Sequence, residues 1–397
     1  MTKAASGPVT LPVSRHDIFD PPQELGWWRQ ETPIRRMTYA DGHLGWLVTG
    51  YSAVRAVLAD NRFSTRIDLQ HPPTPHIARQ RQLTVPAGFF LRMDPPDHTR
   101  FRRLLTGQFT VRRMKQLEPR IEKIVADRLD EMQRQGPPAD LVRSFALPIP
   151  SLVICELLGV PYTDHDRFQR DSAVIISREE TVERKQTAMA DLLSYLHELV
   201  LRKRAEPTDD LLGGLVADGE LTDEELTGVA TLLLVAGHET TANMIALSTF
   251  ALLSNPPQLA ALRDDPSLTA GAVEEFMRYL TIIDFTARTA LEDVEIEGQT
   301  IRAGETVTLS LPAANRDPSR FDGADTLDVT RQAAGHLSFG HGVHQCLGQQ
   351  LARNEMRIAL PALLERLPGL RLAVPPEEVP MRSDMAIYGV HRLPVTW

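Results

Sequence analysis

The run Phe339-Gly340-His341-Gly342-Val343-His344-Gln345-Cys346-Leu347-Gly348 sets one cysteine behind a loop with two glycines and ahead of an amphipathic segment. Glycines at 340 and 342 permit backbone conformations and close approaches that a side chain blocks. Cys346 stands where a helix begins, and the free N–H groups and dipole there favour a thiolate. A lone thiolate so placed suits a soft metal ligand. One-cysteine ligation of iron pushes electron density onto the metal and favours O–O cleavage. An isolated cysteine has two other uses, as a core thiol or as a nucleophile needing a histidine base and an orienting third group.

A second group with chemical potential is Ala236-Gly237-His238-Glu239-Thr240-Thr241. It lies inside a segment that opens with the capping box Thr222-Asp223-Glu224-Glu225 and is stopped by Asn255-Pro256-Pro257. The stretch is apolar nearly all round from Val229 to Ala236, so it reads as a long buried helix running to Ser254. A glycine, an acid and two threonines are locally costly in such a helix. They read either as a satisfied kink or as a groove beside a reacting group.

Two further patterns sit on predicted helices. Asp94-Pro95-Pro96-Asp97-His98-Thr99-Arg100-Phe101-Arg102 starts one, with His98 and Arg102 four apart on a shared face. Residues 269–280 form the other, where Glu275 and Arg278 are neighbours three apart.

The spacing F-G-x-G-x-H-x-C-x-G, with A-G-x-E-T about a hundred residues before it, resembles the haem-binding and oxygen-activation signatures of the cytochrome P450 family. The D-P-P-x-H-T-x-x-R and ExxR patterns fall in the family's order. The resemblance implies a mainly α fold with a small β region, the family's triangular helical domain with minor β sheets. It would span residues 15–397 as a single domain behind an N-terminal tail, 1–14.

The implied cofactor is haem b, with Cys346 as axial ligand of the iron and O2 as co-substrate. His98, Arg102, Arg288 and His344 would bond the haem propionates. Phe339, Gly340 and Gly348 would shape the loop at the thiolate, and Ala236 and Gly237 would pass close to the haem. Thr240 would donate a hydrogen bond to dioxygen and Glu239 would relay protons. Glu275 and Arg278 would anchor the loop behind the haem, with the third partner left among Arg316, Arg320 and Arg331, because threonine stands where the family commonly has an arginine. Phe90, Leu233, Ala236, Ile282, Ile283 and Ile387 are the expected substrate contacts.

The implied reaction is hydroxylation or epoxidation of a lipophilic small molecule, in particular a secondary metabolite such as a macrolide. Electrons would come from NAD(P)H through ferredoxin reductase and ferredoxin, since the chain carries no flavin or iron–sulfur segment. Arg100, Arg103, Arg112, Arg113, Lys115 and Arg353 would form the cationic face for an acidic ferredoxin. A peroxide-driven peroxygenase or coupling enzyme is one rival, disfavoured by the intact Glu239 and Thr240. A haem sensor or carrier without turnover is another, for which no residues remain to build a regulatory domain.

Composition agrees. The 397 residues are 42% hydrophobic and 24% charged, with a formal charge of −9, which argues against nucleic acid as a partner. Cys155 and Cys346 lie far apart, so no disulfide framework exists, as fits a reducing cytoplasm. No run of about 18 apolar residues suggests a membrane anchor, and a monomer is expected.

Around these motifs, Leu44–Val48 reads as the second arm of a hairpin and Tyr51–Asp60 as a helix. Residues 64–90 read as an irregular loop over the pocket, and 163–185 as a mobile lid. Thr281–Arg288 reads as a strand, Val294–Leu309 as a small meander, and Met385–Tyr388 as the tip of a hairpin entering the pocket.

Overall fold

The helix that organises the molecule runs Asp223–Leu253, 31 residues, about 46 Å at the α-helical rise. Its capping box forms as the sequence dictates: Thr222 Oγ1 accepts from Glu225 N, and the Glu225 carboxylate accepts from Thr222 N. It continues as one helix through Gly237 and Thr240. Threonines 227, 231, 240 and 249 each return their hydroxyl to the carbonyl four residues back, which satisfies them in place. The computed structural model describes residues 7–80 and 84–397.

Helices Pro148–Leu158, Val182–Ala205 and Gln349–Arg366 pack against this central rod, and Val111–Gln135 lies across the last of them. Their apolar faces merge into one core that includes Leu234, Ile245, Phe250, Ile121, Phe145, Leu196, Met356 and Leu363. A smaller β region sits to one side. Its main sheet has the order Ile34–Thr38, Leu44–Val48, Thr306–Leu309, Thr286–Ala290, Phe63–Ser64. The first pair is the expected hairpin, with Ile34 opposite Val48. Val9 adds a bridge to Met37, which fastens the N-terminal segment there.

Several segments differ from the sequence reading. The strand expected from Thr281 begins only at Thr286. Residues 281–285 instead follow the C-terminal turn, where Tyr388 N donates to Ile282 O, and Thr281 Oγ1 bonds back to Arg278 O. The expected meander divides: Val294–Ile296 pairs with Gln299–Ile301, while Thr306–Leu309 joins the main sheet. The loop over the pocket contains a helix, Pro75–Gln80, and its residues 81–83 lie outside the described residues. The expected lid falls on helices, as read for residues 110–215, in His165–Ile176 and the start of Val182–Ala205, with Phe168 and Lys185 buried. Among the described residues no helix is long and apolar enough to cross a membrane.

Candidate active site

One cavity of about 600 Å³ opens between the central helix and the cysteine loop. Its wall contains Phe90, His98, Arg102, Leu233, Ala236, Gly237, Thr240, Ile282, Ile283, Arg288, Phe339, Gly340, His344, Cys346, Gly348 and Ile387. The patterns separated by up to 297 residues in the chain therefore meet around one space.

The cysteine loop is closed by Cys346 N donating to Phe339 O at 2.8 Å. Gly340 and Gly342 have φ of 69° and 74°. A Cβ on Gly342 would come within 2.5 Å of Leu58 O, so close approach adds to the backbone requirement there. Gly348 needs no such licence, having open space around its Cα; it caps the helix Gln349–Arg366.

Cys346 opens onto the cavity while protein surrounds it elsewhere. Burial raises its thiol pKa, against the opposing pull of Gly348 N–H, Arg102, Arg353 and Gln349 N–H. The expected pull of the backbone N–H groups is therefore present but smaller than desolvation, and a bound cation would favour the anion.

Basic groups cluster in one part of the wall. His98 and His344 have ring centroids 4.1 Å apart. Burial, then His98, Arg288, Arg102 and Arg92, push the His344 imidazole down to about 3. Arg288 is lowered to about 10 by burial and by Arg92. Among the described residues, both ring nitrogens of buried His98 have no hydrogen-bond partner. Such a group of cations and orphaned donors demands a dianionic ligand, as two carboxylates would be. A porphyrin with two propionates and a thiolate-bound iron fits this donor set. Sequence reasoning missed Arg92, one residue before the Met93-Asp94-Pro95-Pro96 run that should have flagged it.

The two central-helix residues part company. Ala236, Gly237 and Thr240 line the cavity, with Thr240 Oγ1 bonded to Ala236 O at 2.7 Å. Gly237 also packs tightly, since a Cβ would meet Ile154 Cδ1 at 2.9 Å. Glu239 is buried outside the cavity wall, with Oε2 3.0 Å from Arg382 Nη1. His238 beside it is wholly buried and bonds Leu234 O through Nδ1.

Glu275 and Arg278 form a fully buried two-point pair, at 2.7 and 2.8 Å. Of the three candidate third partners, Arg331 completes it, its Nε 3.2 Å from Glu275 Oε1. Arg278 also holds the carbonyls of Asn315, Ala324 and Thr326. Arg316 instead binds the carbonyls of Tyr279 and Phe19, and Arg320 that of Ala334.

The cationic face is thinner than the sequence suggested. Arg100 and Arg103 pair with Glu225 and Glu220, and Arg353 pairs with Glu274. Arg113 bonds Gln108. Arg112 and Lys115 remain exposed. Arg178, Asp284, Ile154 and Glu355 also line the cavity, with no local signal to betray them.

The profile of the family described as Cytochrome P450 matches residues 171–394. The chain is 53% identical to Cytochrome P450 105C1 of a Streptomyces species, over 100% of both chains. CYP105P1 in complex with filipin I superposes with a TM-score of 0.93 at 44% identity, covering 98% of this chain and 99% of that one. The mycinamicin VIII C21 methyl hydroxylase of Micromonospora griseorubida, bound to mycinamicin VIII, gives 0.92 at 39% identity, covering 98% and 100%. The mainly helical architecture with small sheets is thus the family's fold, and this chain belongs to the cytochrome P450 family as a monooxygenase.

Proposed function

We propose that the chain hydroxylates or epoxidises a lipophilic small molecule of secondary metabolism, with electrons passed from NAD(P)H through ferredoxin reductase and ferredoxin. The observation that carries this is the single cavity joining Cys346, the cationic group and an apolar wall. Relatives crystallised with filipin I and mycinamicin VIII support a large natural product as substrate.

Haem, when bound, supplies the chemistry that activates O2. Cys346 would ligate its iron, and His98, Arg102, Arg288, His344 and Arg92 would hold its carboxylates. Phe90, Leu233, Ile282, Ile283 and Ile387 exclude water and orient an apolar body. Thr240 holds a hydroxyl proton at the cavity edge, and Glu239, one position before it on the helix, would relay protons from water. Arg112 and Lys115 are the cations left for an acidic ferredoxin. Turnover of a lipophilic natural product with ferredoxin, reductase and NADPH, set against turnover with hydrogen peroxide alone, tests the reading. Equal product from peroxide alone would favour a peroxygenase instead.

A further inference from the structure

The cavity has a second polar site, separate from the cationic group around His344. Arg178 and Asp284 both line it, and Arg178 Nη2 lies 2.9 Å from Asp284 Oδ2. The charges acting most strongly on His344 and Arg288 include Arg92, Arg102 and His98, whereas Asp284 is the partner of Arg178. Three segments fix it in place. Arg178 N donates to Asp384 O, Ala386 N to Ile176 O, and Tyr388 N to Ile282 O.

Two guanidiniums share one carboxylate at this junction, with Asp17 also acting on the Tyr388 ring. The other oxygen of Asp284 is taken by Arg15 at 2.7 Å. Arg15 also bonds Asp20 O and stacks over the Tyr388 ring at 3.7 Å. One carboxylate thus serves two guanidiniums whose side chains are only 15% and 9% exposed. Among the described residues Asp284 is the one side-chain acceptor of the Arg178 guanidinium, a group with five donors. A half-buried cation short of acceptors, beside Ile282, Ile283, Phe285 and Ile387, is matched by a carboxylate on an apolar body.

We propose that Arg178 is the anchor for a carboxylate, so that the substrates include lipophilic carboxylic acids held by their acid group at Arg178. This rests on the monooxygenase reading of the same cavity. The test measures affinities of the haem-loaded protein for dodecanoic acid and for methyl dodecanoate by equilibrium dialysis. The unmodified protein should bind the acid about tenfold tighter than the ester. Arg178→Gln, which leaves Asp284 paired with Arg15, should erase that preference with ester affinity unchanged, and Arg178→Lys should keep part of it. The same ratio in Arg178→Gln as in the unmodified protein, or no preference for the acid in the unmodified protein, overturns the anchor. A reduced carbon-monoxide spectrum of each preparation separates the two failures: a thiolate-type band without acid preference sinks the anchor alone, and a missing band sinks the reading of the cavity.

Discussion

Arg382 holds Glu239 from behind the central helix: Nη1 of the arginine lies 3.0 Å from Oε2 of the acid, with the two side chains 11% and 5% exposed. Glu239 and Thr240 are consecutive, so about 100° of helix rotation turns one to the cavity and the other to the C-terminal segment. Breaking a buried pair by removing one partner costs about 3–5 kcal/mol, because a charge is left uncompensated. Arg382→Met should destabilise by that amount in urea unfolding, and the double variant Glu239→Gln/Arg382→Met should recover most of it. Additive losses in the cycle would show that the two groups do not interact.

Thr240 is the polar group that the central helix offers to the cavity at the turn of Ala236 and Gly237. A positioned proton donor contributes about 10²-fold or more. Thr240→Ala should keep its haem and its carbon-monoxide spectrum while product formed per NADPH falls severalfold. An unchanged ratio of product to NADPH would remove Thr240 from the proton path.

Glu275 collects Arg278, Arg331 and the Asp328 N–H at one fully buried carboxylate. Glu275→Ala strands two guanidiniums and should cost about 3–5 kcal/mol. Arg331→Ala should cost less, about 1–2 kcal/mol, since its side chain is 12% exposed and Arg278 still pairs with Glu275. Thermal unfolding of the two variants side by side checks the order, and a larger loss for Arg331→Ala would contradict it.

What the sequence could show was what is encoded locally. The capping box, the proline stop after the central helix, the boundaries of Thr269–Leu280 and the glycines of the cysteine loop each depend on residues a few positions apart. The rest depends on what the fold brings opposite. Helix periodicity places Glu239 on a face but says nothing of Arg382, 143 positions later. Three arginines competed for Glu275, and only the path of residues 320–331 selects Arg331. The direction of the Cys346 shift required knowing how the fold encloses the thiol around the cavity.

Gly228 illustrates a constraint invisible to local pattern. A Cβ there would sit 1.6 Å from Ala87 O, and one on Gly88, whose φ is 83°, would sit 2.2 Å from Glu225 O. The segment leading to Phe90 therefore crosses the central helix at two glycines in contact. Gly228→Ala gains helix propensity but overpacks against backbone, at about 1–3 kcal/mol. A lower Tm and weaker binding of a lipophilic ligand, with the carbon-monoxide spectrum intact, are expected. A higher Tm would mean that the crossing is looser than this geometry.

Glu274 carries the pH dependence. Burial alone would raise its carboxyl pKa, yet hydrogen bonds from His336 and Arg353 outweigh that and lower it to about 2, from 4.5. It thereby ties Thr269–Leu280 to the helix after Cys346, and Arg353 in turn stacks on Phe339 at 4.6 Å. Because the folded value lies below the unfolded one, the contribution is present above about pH 4.5 and is lost as pH falls toward 2. The difference corresponds to about 3 kcal/mol at neutral pH. Glu274→Gln should be less stable by a like amount at pH 7, and the gap between variant and parent should narrow steadily on acidification from pH 5 to 3. Urea midpoints across that range measure it, and a gap that stays constant with pH would show that the Glu274 charge is not what stabilises the junction.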